Sequence, residues 1–246
     1  MYCYSGLFAG VRLTFHFQYP GTAGYYRAFL EESDASDESI LIPERDVRDW
    51  MALWKVNDPA YAEFANSCSY ACDRLMTADR VVFHGAALFR EGKVWLFTGP
   101  SGIGKTTQAR LWQSLFGDSV LLLNGDKPIL EICADNEVLV HPSPWKGKEG
   151  YGRDDVTAPL GGIIILQQAP ENQISRIDPG EAAKKLFCRI YSTFNTKKEV
   201  LATARILEAI LSRTPVWLLQ NRGDEDSARM TWEALRKEGG QPCATD

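Results

Sequence analysis

The chain has 246 residues, 45% of them hydrophobic and 24% charged, enough apolar matter for one large core or two small ones. A formal net charge of -5 excludes a strong general attraction to nucleic acid or anionic lipid, so neither is an expected partner. No apolar run approaches the roughly 18 residues that a bilayer span requires. The start MYCYSGLFAGVRL also lacks a basic stretch ahead of an apolar block, so a cytoplasmic protein is expected.

Residues 7–17, LFAGVRLTFHF, alternate as a strand, and AGYYRAFLEE suits a short helix. SDASDES is a polar loop before the strand ILIP. ERDVRDWMALW and AYAEFANSCSYACDRLM have apolar residues at helical spacing, with the breaker VNDPA between them. Six cysteines, at positions 3, 68, 72, 133, 188 and 243, include no CxxC pair and read as reduced thiols. Cys68 and Cys72, one turn apart, read as small apolar residues on a helix face rather than as a metal pair. VVFHGAALF and VWLFTG flank REGK as a hairpin whose second strand runs into a glycine-rich loop, and a helix begins near Gly104. VLLLN, PILEI, VLVHP, GGIIIL and QISRI read as strands, with turn-formers ADNE and APEN between two of the pairs. GEAAKKLFCRIY, KEVLATARILEAILS and SARMTWEALRKE are amphipathic helices, and VWLLQ is a strand between the last two. The expected organisation is a small N-terminal α/β module, residues 1–80, ahead of a β-rich core, residues 81–246.

Gly99, Gly104, Lys105 and Thr106 satisfy G-x-x-x-x-G-K-[ST], after an apolar strand and at the start of a helix. In such a P-loop, Gly102 and Gly104 let the backbone fold around phosphate oxygens, so that N–H groups and the helix N-terminus face the anion. Ser101 and Ile103 belong to the same loop. Lys105 is expected to reach the β and γ phosphates of a nucleotide, and the Thr106 hydroxyl to ligate Mg²⁺, with Thr107 beside it on the first turn. VLLLNGDKP delivers Asp126 at the end of an apolar strand, where a second metal contact is needed. Lys127 reads as surface charge, and His84, a lone histidine on a strand, as a structural residue. In SPWKGKEGYGRDD, residues 143–155, the side chains Trp145, Lys146, Lys148, Glu149, Arg153 and Asp155 crowd a glycine-broken loop. That composition suits a mobile cover bringing cations to a transferring phosphoryl group, with Lys146, Lys148 and Arg153 as acceptor contacts and Glu149 as a metal ligand.

The run from FHGAALF through GPSGIGKTT to LLNGDKP, followed by SPWKGKEGYGRDD, resembles the HPr kinase/phosphorylase superfamily over roughly residues 81–168. HG, SGIGKTTQARLW, GDKP and SPWKGKEG together look like the HPr-kinase-like proteins found beside ribosomally made peptide clusters. The resemblance implies a phosphoenolpyruvate-carboxykinase-like α/β core with a mixed sheet, ATP with Mg²⁺, and transfer to a hydroxyl such as a peptide serine. It also implies that His84 is an active-site histidine and that Asp126 is the second member of an aspartate pair. The chain departs from the family at Gly125, where a first carboxylate is usual, which leaves Asp126 or His84 to take the acceptor proton. The family's phosphorolysis signature is not recognisable, and residues 1–80 do not resemble its regulatory domain. The expected function is therefore an ATP-dependent hydroxyl kinase. A small-molecule acceptor, such as an amino acid or sugar, and a nucleotide-binding module without turnover stand as alternatives. The oligomeric state is open, a homo-oligomer included.

Overall fold

The computed structural model describes residues 2–33, 39–135, 137–147, 150, 152–192, 194 and 196–239. Most of the polar loop SDASDES, Lys148, Glu149 and Cys243 lie outside the described residues. Where alternation predicts one strand over residues 7–17, the chain reverses at Ala9 and Gly10. β1 (Tyr2–Phe8) and β2 (Val11–Phe17) form an antiparallel hairpin closed by Phe8 opposite Val11. Both turn residues have positive φ, 48° and 79°, a two-residue geometry that matches the twist of paired strands. An alanine at the first position hides this turn from a reading of the sequence. α1 (Thr22–Tyr26) is followed by a single 3-10 turn, Arg27–Phe29, so the expected helix stops short and Glu31–Glu32 form β3 instead. β4 (Ile40–Leu41) completes a four-stranded sheet in the order β3-β1-β2-β4. α2 (Glu44–Trp54) and α3 (Pro59–Met76) follow as expected. Asp58 starts α3 by accepting from the N–H groups of Ala60 and Tyr61, with Pro59 at the first helical position.

The second sheet is built from β5 (Arg80–Val82), β6 (Gly85–Arg90), β7 (Lys93–Thr98), β8 (Leu121–Asn124), β9 (Ile129–Ile132), β10 (Val138–His141), β11 (Ala158–Gln168), β12 (Gln173–Arg176) and β13 (Val216–Asn221). Its helices are α4 (Lys105–Phe116), α5 (Pro179–Leu186), α6 (Lys197–Leu211) and α7 (Glu225–Gly239). Among the described residues the strand order is β5-β9-β10-β11-β7-β6-β8, with β13 also on β11 and β12 on β13. β11 runs parallel to β7 and β13, and the other pairs are antiparallel, so the fold is α/β with a mixed sheet. The run VVFHGAALF is not one strand. It breaks at Phe83–His84, because β5 pairs with β9 while β6 turns to β7 and β8, and His84 therefore sits at the break rather than within the hairpin.

Both faces of the central strands are covered, which is why their sequences are continuously apolar. Val94, Leu96, Ile163 and Ile165 join Leu186 of α5 and Ile206 of α6 in one buried cluster. Trp95, Phe97, Ile164 and Leu166 join Trp112 of α4 and Trp232 of α7 in another. Among the described residues no helix is long and apolar enough to cross a membrane.

A third cluster holds the aromatic hairpin against α1–α3 and is completed by Val82, Ile129 and Trp145, which come from beyond residue 80. Trp145 is 2% exposed, its ring stacks on Phe8 at 5.6 Å, and its Nε1 donates to Ser67 Oγ at 3.2 Å. Trp145→Ala is expected to cost about 3–5 kcal/mol by cavity formation. Urea unfolding measures the loss, and Trp145→Phe should recover most of it.

Candidate active site

The sheet delivers the glycine-rich loop between the end of β7 and the start of α4. Gly104, at φ 112°, lets the chain turn directly from loop into helix. No side chain caps α4 and no acid stands in its first turn, so the N–H groups there are left for an external anion. A side-chain carbon added at Gly102 would meet nothing within 4 Å, so the loop faces open space. Lys105 is only 9% exposed, and its Nζ donates to the loop's own Gly99 and Pro100 carbonyls at 3.3 and 3.2 Å. Burial pushes its ammonium down from the usual lysine range, with the cations of Arg189 and Lys127 adding to the push and Asp126 opposing it. Thr106 and Thr107 are exposed beside it. Gln108 anchors the helix from below, donating to Asn221 Oδ1 at 3.2 Å and Ser227 Oγ at 2.8 Å.

Facing the loop, the end of β8 turns sharply at Asn124, whose Oδ1 accepts from the N–H groups of Asp126 and Lys127 at 2.8 Å each. The Asn124 amide in turn donates to Ser143, and the Ser143 hydroxyl donates to the Lys127 carbonyl at 2.5 Å. Asp126 is thereby fixed with Oδ1 3.4 Å from His84 Nε2 and Oδ2 accepting from Lys127 Nζ at 2.6 Å. Burial opposes its charge, yet the His84 hydrogen bond and the Lys127 ammonium outweigh it and hold the carboxyl well below the usual range. Lys127 is likewise penalised by burial, but Asp126 raises its ammonium above the usual range. Its Nζ lies 5.4 Å from the centre of the Tyr191 ring, and burial pushes the Tyr191 hydroxyl up to about 12. His84 is pinned through its backbone, where its N–H donates to the Arg189 carbonyl at 2.7 Å and its carbonyl accepts from Thr98 Oγ1 at 2.7 Å.

Where the sequence suggests a mobile cover after β10, the described residues at its start are anchored. Ser143, Trp145 and Lys146 are buried, and Lys146 Nζ ties the segment to itself through the Gly152 carbonyl at 3.1 Å and Asp154 Oδ1 at 2.5 Å. A side-chain carbon at Gly152 would fall 2.4 Å from the Leu123 carbonyl oxygen, so only glycine lets this stretch lie on β8. Arg153 and Asp155 are exposed and paired to each other at 2.7 Å. Lys148 and Glu149 lie outside the described residues.

One cleft of about 1120 Å³ takes in Ser101, Gly102, Gly104, Lys105, Thr106, Thr107, His84, Asp126, Lys146 and Arg153, so these sequence-predicted residues share one space. Gly99 and Ile103 belong to the loop but do not line it. The sequence reading misses Lys127 and Tyr191. The Asn-Gly-Asp turn was a readable hint that Lys127 is held close, whereas nothing marks Tyr191, which arrives after a 3-10 turn far along the chain. No group of three or more His, Cys, Asp or Glu side chains that could hold a metal occurs among the described residues. A cation here would depend on Thr106, Asp126 and the ligand's own oxygens.

Fold and site together define a mixed α/β protein that sets a glycine-rich loop opposite a half-buried carboxylate flanked by two basic side chains. No protein-family model matches the sequence, and no curated protein matches it.

The depressed Asp126 carboxyl carries a pH signature. In the unfolded chain an aspartate takes up its proton near pH ~4, whereas the folded group resists until lower pH. Its contribution to stability is thus fully present above that range and is lost as pH falls through it towards the folded value. The stability gap between wild type and Asp126→Asn should be widest near neutrality and shrink below about pH 4. Urea unfolding at stepped pH measures it, and a gap constant with pH would contradict the assignment.

Proposed function

We propose that this protein is an ATP-dependent kinase that transfers the γ-phosphoryl group to a hydroxyl, with a serine of a peptide or protein as the favoured acceptor. The reading includes a phosphoenolpyruvate-carboxykinase-like, HPr-kinase-like core over residues 81–246, preceded by a smaller N-terminal module, in a cytoplasmic protein. The observation that carries it is the meeting, in one cleft, of the uncapped glycine-rich loop with Lys105 and the ionised Asp126 between His84 and Lys127.

The loop N–H groups and Lys105 hold the β and γ phosphates. Mg²⁺, held by Thr106 and Asp126 when bound, supplies charge neutralisation between the phosphates. The acceptor oxygen forms the new P–O bond while the bond from the γ-phosphorus to the β–γ bridging oxygen breaks, and ADP leaves with that oxygen. The acceptor proton passes to Asp126 or His84. A carboxyl held well below the usual range is a poor proton acceptor at neutral pH, so Asp126 suits the cation-holding role better and His84 the proton-accepting one. A nucleotide-binding module without turnover is the second reading. It is favoured by Gly125, which offers no second carboxylate, and by Asp126, whose two oxygens already face His84 and Lys127.

ATP·Mg²⁺ is expected to raise the melting temperature, and ADP release should accompany phosphorylation of the acceptor. A shift without ADP release would favour the binding module. Lys105→Ala should lower turnover by about 10²-fold or more while leaving circular dichroism unchanged. Retained turnover would sink the kinase reading. Asp126→Asn should weaken ATP·Mg²⁺ binding and recover in part at high Mg²⁺. If Asp126 were instead the base, binding would persist while kcat fell by about 10² or more.

A further inference from the structure

The cleft does not end at the charged cluster. It continues to α2 and α3, where Trp50, Trp54 and Tyr61 line it. Trp50 lies 6.1 Å from Trp54 and 5.8 Å from Tyr61 between ring centres, so the three rings form a continuous ledge. At the end of α2, Leu53 is 73% and Trp54 59% exposed, apolar surface that isolated helix packing does not call for. Val56, Ala65 and Asn66, which line the cleft beside these rings, carry no charge. Lys105, Asp126 and Lys127 stand at the other.

We propose that this ledge recognises the phosphoryl acceptor, and that the acceptor is an extended peptide with an aromatic or large aliphatic side chain about three residues from the reacting hydroxyl. The hydroxyl's fate rests on the kinase reading, whereas the ledge's ligand does not. Tyr61, Ala65, Cys68 and Ser69 all line the cleft, and their spacing of four, seven and eight residues makes them one stripe of α3. Cys68 is at the charged end: its neighbour Ser67 accepts from Trp145 Nε1 at 3.2 Å, and two residues after Trp145 a side-chain carbon at Gly147 would lie 3.1 Å from Asp126 Cβ. Seven residues of helix, at about 1.5 Å each, put roughly 10 Å between ledge and charged cluster. An extended peptide covers that in about three residues at ~3.3–3.6 Å per residue, a span that a free amino acid or monosaccharide does not bridge. Ser69, exposed on the stripe, offers a hydroxyl to the passing peptide backbone. The cleft's 1120 Å³ also exceeds the roughly 300–1,000 Å³ of a pocket for one small ligand, leaving room for a second reactant.

The test uses the full chain and a positional-scanning library of labelled decapeptides, each with one fixed serine and one further fixed residue. Binding is read by fluorescence polarisation with Mg²⁺ and a non-hydrolysable ATP analogue, and transfer by phosphate incorporation from ATP. Tryptophan, phenylalanine or leucine at one position about three from the serine should tighten binding at least tenfold over alanine. Trp54→Ala and, as a second variant on this exposed site, Trp54→Gln should each abolish that preference while keeping analogue affinity within twofold. The proposal is overturned by the absence of any positional preference, by a preference that survives both variants, or by a tenfold loss of analogue affinity, which would make the ledge a nucleobase site. Ring-dependent binding without phosphate incorporation would leave the ledge standing and defeat the kinase reading. Incorporation without the preference would do the reverse.

Discussion

Asp126 is a carboxylate stripped of most of its water, and such a group stays charged only where protein donors and cations replace its hydration. Much of the cleft's architecture meets that demand. Lys127 supplies the cation, His84 the second donor, and Asn124 the turn that places Asp126 and Lys127. β6 begins beside the carboxylate because the Gly85 N–H donates to the Asp126 carbonyl at 2.9 Å. The break between β5 and β6, which looks like an irregularity in the sheet, is what brings His84 to the cluster.

The same residues leave the cleft with more buried positive than negative charge. Lys105 and Lys127 are both largely withdrawn from solvent, and Asp126 acts electrostatically on each. One carboxylate cannot compensate two ammonium groups, so an incoming polyanion would relieve a penalty as well as form new bonds. That imbalance adds to the loop's pattern, because it takes Lys127, which the pattern does not include, together with Lys105.

Local rules made part of this arrangement legible. The order strand, glycine-rich loop, helix is written in LFTGPSGIGKTTQARLW, and an apolar strand ending at Asn124 announces Asp126. α2, α3 and α7 follow from apolar spacing, with the breaker VNDPA separating the first two. What escaped depends on pairing at a distance. Nothing in VVFHGAALF says that its halves join different neighbours, and the Ala9-Gly10 turn adopts a geometry that alanine does not advertise. Lys127 reads as surface charge because sequence gives no sign that Tyr191 and α3 close over it. Trp145 and Lys146 read as parts of a mobile cover because the sequence does not show that Phe8 and Ser67, from far along the chain, bury the one and that Asp154 ties down the other.

The place of Trp145 bears on the order in which this protein is made. The hairpin, α1, α2 and α3 leave the ribosome before β5 to β10, and domains generally fold as units from the N-terminus during synthesis. Here that unit cannot complete its core on emergence, since Trp145, whose ring packs on Phe8 and Tyr26, is translated only after β5 to β10. Until then Phe8, Tyr26 and Ser67 lack the ring that they hold in the finished fold. The nascent chain thus passes an interval with this apolar site unfilled, its length fixed by the order of residues, and such a site is a target for holding chaperones.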